Sequence, residues 1–318
     1  MTLKYDAEFA QAAESFIFNL RNAPSLPAHD ILTRRALLPG LIENELSKLP
    51  FDGSVLREEY QFPSYDSATI VIYRYWTNND LGASPALLYI HGGGFILGNV
   101  EMCDKAIRQL VKETGVQTFA VEYRLAPEHA HPTPTEDCFS ALCWIHAHAS
   151  KFSIDNSRIG LFGVSAGGGL AAGTALLARD RELMPPVAKQ ILIYPMLDDQ
   201  NVHPIDGIEK LAIWNSDDNL TGWTALMGDR REAHEGRQYG APIHAKDLKN
   251  LPSTYMDVGG LDIFASECQQ YAHRLSLSNV EVEFHLYPGV PHLFDVFAPH
   301  INTTKRAMES WLRAVRSI

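Results

Sequence analysis

From about residue 68 onward, short apolar runs alternate with longer helix-like stretches, and this alternation limits the folds open to the chain. Strands are predicted over 69–75, 86–90, 117–122, 158–163, 190–194, 254–258 and 281–287. Helices are predicted between them, near 102–114, 134–149, 166–180, 264–277 and 299–317. A run such as Leu87-Leu88-Tyr89-Ile90 is apolar on both sides of the pleat, as a strand covered on both faces requires. Strand–helix alternation of this kind predicts an α/β fold: a mostly parallel twisted sheet flanked by helices. A helix start is marked by Thr133-Pro134-Thr135-Glu136, which offers a threonine cap, a first-turn proline and a glutamate three residues after the cap.

Two stretches break the alternation. Residues 1–50 read as helices without strand partners, and 198–245 are polar with Trp214, Trp223, Leu226 and Met227 interspersed. Both carry enough apolar residues to pack. We expect a helical cap over the carboxyl ends of the strands, where open α/β sheets place their sites. The domain plan is therefore an N-terminal cap segment (1–50), a first part of the core (51–197), a cap insertion (198–245) and a second part of the core (246–318).

Within that frame, Gly163-Val164-Ser165-Ala166-Gly167 reads G-x-S-x-G between an apolar strand and a small-residue helix. A serine hydroxyl is a poor nucleophile unless the backbone thrusts it into the open beside a base. A strand turning sharply into a helix does that, and Gly163 and Gly167 leave room for the turn. Upstream, His91-Gly92-Gly93-Gly94 follows strand 86–90, and its bare amides are suited to bind a developing oxyanion. Downstream, Asp262 and His292 each sit on a loop just past a strand. Glycine loop, serine, acid and histidine thus occur in the order that a nucleophile-elbow hydrolase requires.

Other candidates are weaker. Asp198 and Asp199 also follow a strand, but one strand earlier, and Asp257 lies inside one. His146 and His148 are two apart and so point to different faces of a helix. No H-E-x-x-H, G-x-G-x-x-G or G-x-x-x-x-G-K-[ST] is present, so no metal and no cofactor is expected. A net charge of −11 without a basic stripe argues against nucleic acid as a partner, and no apolar run reaches the length of a membrane span. The N-terminus lacks the basic start and apolar centre of a secretory signal. Four cysteines without C-x-x-C spacing read as reduced core thiols, and the expectation is a cytoplasmic protein. Asn219 and Asn302 match glycosylation acceptors by chance.

Taken together, these residues resemble the hormone-sensitive-lipase-like family of α/β-hydrolase carboxylesterases. The likeness runs from about residue 60 to 300. It rests on His91-Gly92-Gly93-Gly94, Tyr123-Arg124-Leu125-Ala126-Pro127-Glu128 with Pro132 and Asp137, the Ser165 elbow, Tyr194-Pro195-Met196-Leu197-Asp198, Asp262 with Glu267, and His292-Leu293-Phe294. The resemblance implies Ser165 as nucleophile, Asp262 as acid and His292 as base. It also implies an oxyanion hole from the amides of Gly93, Gly94 and Ala166, and a small-molecule ester, short in its acyl chain, as substrate. Homodimers are common in that family, through the strand or helix at the end of the sheet, so a homodimer is the assembly it allows for. Amidase, peptidase and lactonase chemistry on the same residues stay open, as does a silent ligand-binding relative. The chain departs from the family at Val164, where an acidic residue often precedes the serine, and at Asp262-Ile263, where Asp-Pro is usual.

Overall fold

Three helices, α1 (Ala7–Ala12), α2 (Glu14–Asn22) and α3 (Ile31–Leu46), precede the first strand in the computed structural model, which describes residues 2–23, 26–78, 82–228 and 236–318. Then come β1 (Leu56–Pro63), β2 (Thr69–Trp76), β3 (Ser84–Ile90), α4 (Asp104–Thr114), β4 (Gln117–Glu122), α5 (Thr133–Ala147), β5 (Ile154–Val164), α6 (Ala166–Asp180) and β6 (Lys189–Ile193). The chain continues through α7 (Ser216–Met227), α8 (Arg237–Gly240), β7 (Ser253–Gly259), α9 (Ala265–Leu277), β8 (Val282–Tyr287), α10 (Phe294–Phe297) and α11 (Asn302–Arg316). Part of the expected cap insertion, residues 229–235, lies outside the described residues.

The strands form one sheet in the order β1-β2-β4-β3-β5-β6-β7-β8. β2 runs antiparallel to β1 and β4, and the other pairings are parallel. Ile90 of β3 pairs with Gly163 of β5, so the glycine loop and the serine turn leave the sheet side by side. β6, β7 and β8 follow outward in chain order, which sets the loops carrying Asp262 and His292 along the same carboxyl edge. The predicted α/β architecture is what forms, because the apolar strands are sandwiched: Leu87, Leu88 and Ile90 of β3 and Leu161 of β5 have no exposed surface.

Two local readings are corrected. The apolar pattern predicts no strand over 56–63, yet β1 forms there as the sheet's outer strand. Its Arg57-Glu58-Glu59 hides the pattern, because an edge strand needs little burial and tolerates charge; of its side chains only Phe62 is buried. Thr133 is not a cap: the helix begins at Thr133 itself, behind Pro132, with no side-chain cap bond. Instead the Thr133 hydroxyl lies 3.1 Å from that of Tyr65, and Glu136 takes two bonds from Arg181.

The two segments outside the alternation meet one another. Arg34 of α3, fully buried, donates to Asp218 of α7 at 2.9 Å, while Arg35 reaches Glu128 and the carbonyls of Ile96 and Ala126. Removing either partner of the Arg34–Asp218 pair would strand a buried charge. Among the described residues, no helix is long and apolar enough to cross a membrane.

After β6, Asp198 and Asp199 pair with His244, 3.5 and 2.7 Å away, and Arg237 also binds Asp199 at 2.6 Å. Among the described residues these two aspartates and His244 are the one group spaced to ligate a metal, and the Arg237 guanidinium together with a protonated His244 balances the two carboxylates. Hydrogen bonds to Asp198 and Asp199 push His244 up to about 9. A raised histidine contributes stability that is fully present below its unfolded value of about 6.5 and is lost as pH rises through about 9. The His244 side chain is partly exposed, so solvent reduces the effect. The midpoint of thermal unfolding is expected to fall by a few degrees between neutral pH and pH about 10, and His244→Gln should flatten that part of the curve. An unchanged slope in the variant would show that other groups set it.

Candidate active site

The turn from β5 into α6 holds Ser165 at φ +56° and ψ −120°, a conformation an L-residue adopts only where the surroundings impose it. They do so through close backbone packing. A Cβ on Gly167 would stand 2.1 Å from the carbonyl oxygen of Ile90, so the helix start can press against the end of β3 only as glycine. The Ser165 amide donates to Ile193 O at 2.9 Å, and its carbonyl accepts from Gly168, Gly169 and Met196. The hydroxyl is thereby aimed away from the sheet.

Ser165 Oγ lies 2.9 Å from His292 Nε2, and His292 Nδ1 lies 2.6 Å from Asp262 Oδ2. The other oxygen of Asp262 accepts the Phe264 amide at 3.0 Å, which fixes the carboxylate plane. A carboxylate partner holds the proton on Nδ1, leaving Nε2 free to accept from the serine. Asp262 is fully buried and His292 nearly so. Two rings clamp the imidazole edge-on: Tyr194, 4.7 Å away between centroids, and Phe264 at 5.1 Å. The structure therefore brings together the serine, acid and histidine picked from sequence. It leaves the rivals apart: Asp198 and Asp199 serve His244, and Asp257 is buried against Tyr255 and Trp311.

The glycine loop stands opposite. Among the described residues, the N–H groups of Gly93, Gly94 and Ala166 have no acceptor within the protein. Gly94 has φ +57°, and a Cβ there would meet the Trp214 ring at 2.3 Å, so only glycine lets the loop lie flat under that indole. Trp214 Nε1 is held at 3.1 Å by Asn219, whose full burial excludes it as a glycosylation acceptor. His91 starts the loop, stacked on Tyr123 with centroids 4.2 Å apart, and Tyr123 donates to the His91 carbonyl. Burial lowers His91 to about 4, so it is neutral at physiological pH.

Several of the other sequence landmarks brace this site from outside. Arg124 binds Asp137 and Asp66. Glu267 accepts from the amides of Leu197 and Asp198 and from Asn201, fixing the loop after β6. His146 and His148 lie at the end of α5, away from the site, and the His148 ring bonds the Trp144 carbonyl.

A cavity of about 570 Å³ opens on Ser165, Gly93, Gly94 and His292, walled by apolar side chains such as Leu38, Leu97, Met102 and Trp214. That is the size of a small-molecule pocket. Residues 87–296 match the family model of the alpha/beta hydrolase fold. The chain is 32% identical over 255 residues to Esterase LipI of Mycobacterium tuberculosis, covering 77% of each protein.

The chain belongs to the hormone-sensitive-lipase-like family of α/β-hydrolase esterases.

This esterase is also 33% identical to the arylesterase of Saccharolobus solfataricus over 69% of each chain. Among solved structures it is similar to a bacterial heroin esterase, with a TM-score of 0.87 and 36% identity over 99% of this chain and 98% of that one. A hyperthermophilic esterase from Pyrobaculum calidifontis superposes with a TM-score of 0.85 at 30% identity, over 99% of each chain. The family membership and these relatives make the chain a carboxylic-ester hydrolase.

Proposed function

We propose that the esterase is a serine carboxylesterase for small esters with short acyl chains, working through an acyl-enzyme. The observation that carries this reading is the continuous chain Ser165–His292–Asp262 facing three amides without acceptors. His292 accepts the serine proton as Oγ attacks the ester carbonyl, while Asp262 stabilises the imidazolium that forms. The amides of Gly93, Gly94 and Ala166 receive the oxyanion. His292 then protonates the departing alcohol, and water repeats the sequence on the acyl group. The segments 1–50 and 198–245 act as a cap, since Leu38 of α3 and Trp214 both wall the cavity above the serine. We also propose a cytoplasmic location, supported by the four free cysteines, and allow a homodimer through the strand or helix at the end of the sheet.

The preference for short acyl chains is supported by the family resemblance and by the cap segments that wall the cavity of about 570 Å³. With nitrophenyl esters from acetate to palmitate, turnover is expected to peak at the short end and fall as the chain outgrows the cavity. Maximal turnover on palmitate would overturn that preference. Labelling of Ser165 by a fluorophosphonate tests the nucleophile separately from substrate choice.

A further inference from the structure

The cavity does not end at the serine. Beside Ser165 it is bounded by Gly93, Gly94 and Trp214, and from there its lining follows one face of α4: Cys103 at the helix start, then Ala106, Leu110 and Glu113. Steps of three and four residues put these side chains in one stripe. At 1.5 Å per residue the stripe from Cys103 to Glu113 spans about 15 Å. α11 packs beside α4 and lines the cavity with Met308, Trp311 and Leu312, while α3 roofs it with Leu38, Ile42 and Glu45, again at helical spacing. Ala106, Leu110, Met308 and Leu312 each keep part of their surface open. At the far end Lys48 and Glu113 are exposed, and Lys48 is paired with Glu45. An apolar corridor thus leads from the nucleophile to a charged mouth.

The floor of the corridor is the sheet. Tyr89 of β3 is in register with Phe162 of β5, and Ile193 of β6 with Val164, so these side chains share one face. All of them border the cavity, and Val164 alone among them is not buried. This is the position where the family often carries an acidic residue. A carboxylate there would stand on the floor next to Ser165, and an apolar chain passing over it would strip its water at a cost. Valine presents methyl groups instead. The same end of the corridor identifies the arm of the ester that enters it. His292 protonates the departing alcohol, and Leu293, Asp295 and Val296, just past that histidine, line this wall.

We propose that the corridor holds the alcohol arm of the ester, and that Val164 selects for an extended apolar alcohol. The proposal rests on the reading of Ser165, His292 and Asp262 as the catalytic residues. It narrows the substrate class to esters of a short acid with an unbranched, apolar alcohol long enough to follow α4.

The test uses alkyl acetates from ethyl to decyl, supplied below their aggregation limit, with release of acetate as the readout. kcat/KM is expected to rise about two- to fourfold per methylene, and more than about 100-fold between ethyl and decyl acetate. Ala106→Trp places a large ring in the corridor one turn into α4, away from the triad. It should lower the decyl-to-ethyl ratio by about tenfold or more and leave ethyl acetate within about threefold of the parent. Val164→Asp should lower the same ratio, and Val164→Thr, which keeps the shape and adds one hydroxyl, should lower it less. Ethyl decanoate, with the long chain on the acyl side, should not gain from the corridor.

Rates that ignore the length of the alcohol, or a ratio unchanged in Ala106→Trp, would overturn the corridor while ethyl acetate hydrolysis kept the esterase reading intact. No hydrolysis of any acetate, together with no fluorophosphonate label on Ser165, would instead overturn that reading. If Ala106→Trp slowed ethyl decanoate and spared decyl acetate, the assignment to the alcohol arm would be wrong. A ratio that falls in Ala106→Trp and in neither Val164 variant would remove Val164 from the role.

Discussion

Ser165→Ala is expected to lower kcat on a nitrophenyl ester by about 10⁴- to 10⁶-fold, with the fold retained. The reason for so large a loss is that, among the described residues, no other hydroxyl is hydrogen-bonded to His292 Nε2. Removing Oγ leaves the His292–Asp262 pair and the three amides in place, yet nothing is left to form the acyl bond. Stability should change by about 1 kcal/mol or less, since the deleted atom makes one hydrogen bond and the alanine keeps the same backbone contacts. Steady-state kinetics alongside far-UV circular dichroism and thermal unfolding separates the two effects. A kcat within about tenfold of the parent would take the nucleophile's role away from Ser165.

Asp262→Asn should cost about 10⁴-fold in kcat with little change in KM, as expected where an acid fixes the tautomer of a base. An asparagine keeps the shape and can still accept the Phe264 amide. It carries no charge to stabilise the imidazolium, however, and its NH2 turned towards Nδ1 would move the ring proton to Nε2. The histidine could then no longer accept from Ser165. Asp198→Asn is the matched control. Asp198 follows the neighbouring strand and pairs with His244, so its loss should leave kcat within a few-fold of the parent. If the two variants exchanged their effects, the acid would have been misassigned. Both substitutions remove one carboxylate, so the comparison is independent of net charge.

Much of this site is legible in the amino-acid order. Ser165, Asp262 and His292 stand out because each follows a strand-like run, and strand ends in a parallel sheet share one edge. Gly93 and Gly94 stand out because a triple glycine after a strand has few other uses. Less legible are the groups whose importance depends on distant partners. Tyr194 and Phe264 clamp His292 from either side of the cap insertion in the chain, and neither residue type at those positions signals a clamp. Trp214 is visible as an apolar residue in a polar stretch, but its place over Gly94 comes from α7 docking on the loop. Glu267 stands out only through the family resemblance; the three donors that converge on it come from the loop after β6.

The misread elements have the same origin. At β1, three consecutive charges look like a loop, and only the partner β2 makes them a strand. Around Thr133, the local capping pattern is complete, yet Glu136 lies next to Arg181 at the end of α6 and binds it instead. The Thr133 amide already donates to the Ala130 carbonyl, so Glu136 finds its donors on Arg181 instead.

The sequence alone determined the parallel α/β core, the strained serine turn and the order of glycine loop, serine, acid and histidine. These rest on apolar periodicity and turn chemistry, which act over a few residues and are written locally in the chain. Only the tertiary structure decided what clamps the His292 ring, what lies over Gly94 and what holds Asp198 and Asp199. Those outcomes depend on strand pairing and helix docking between residues far apart in sequence, where each partner looks ordinary until the other arrives.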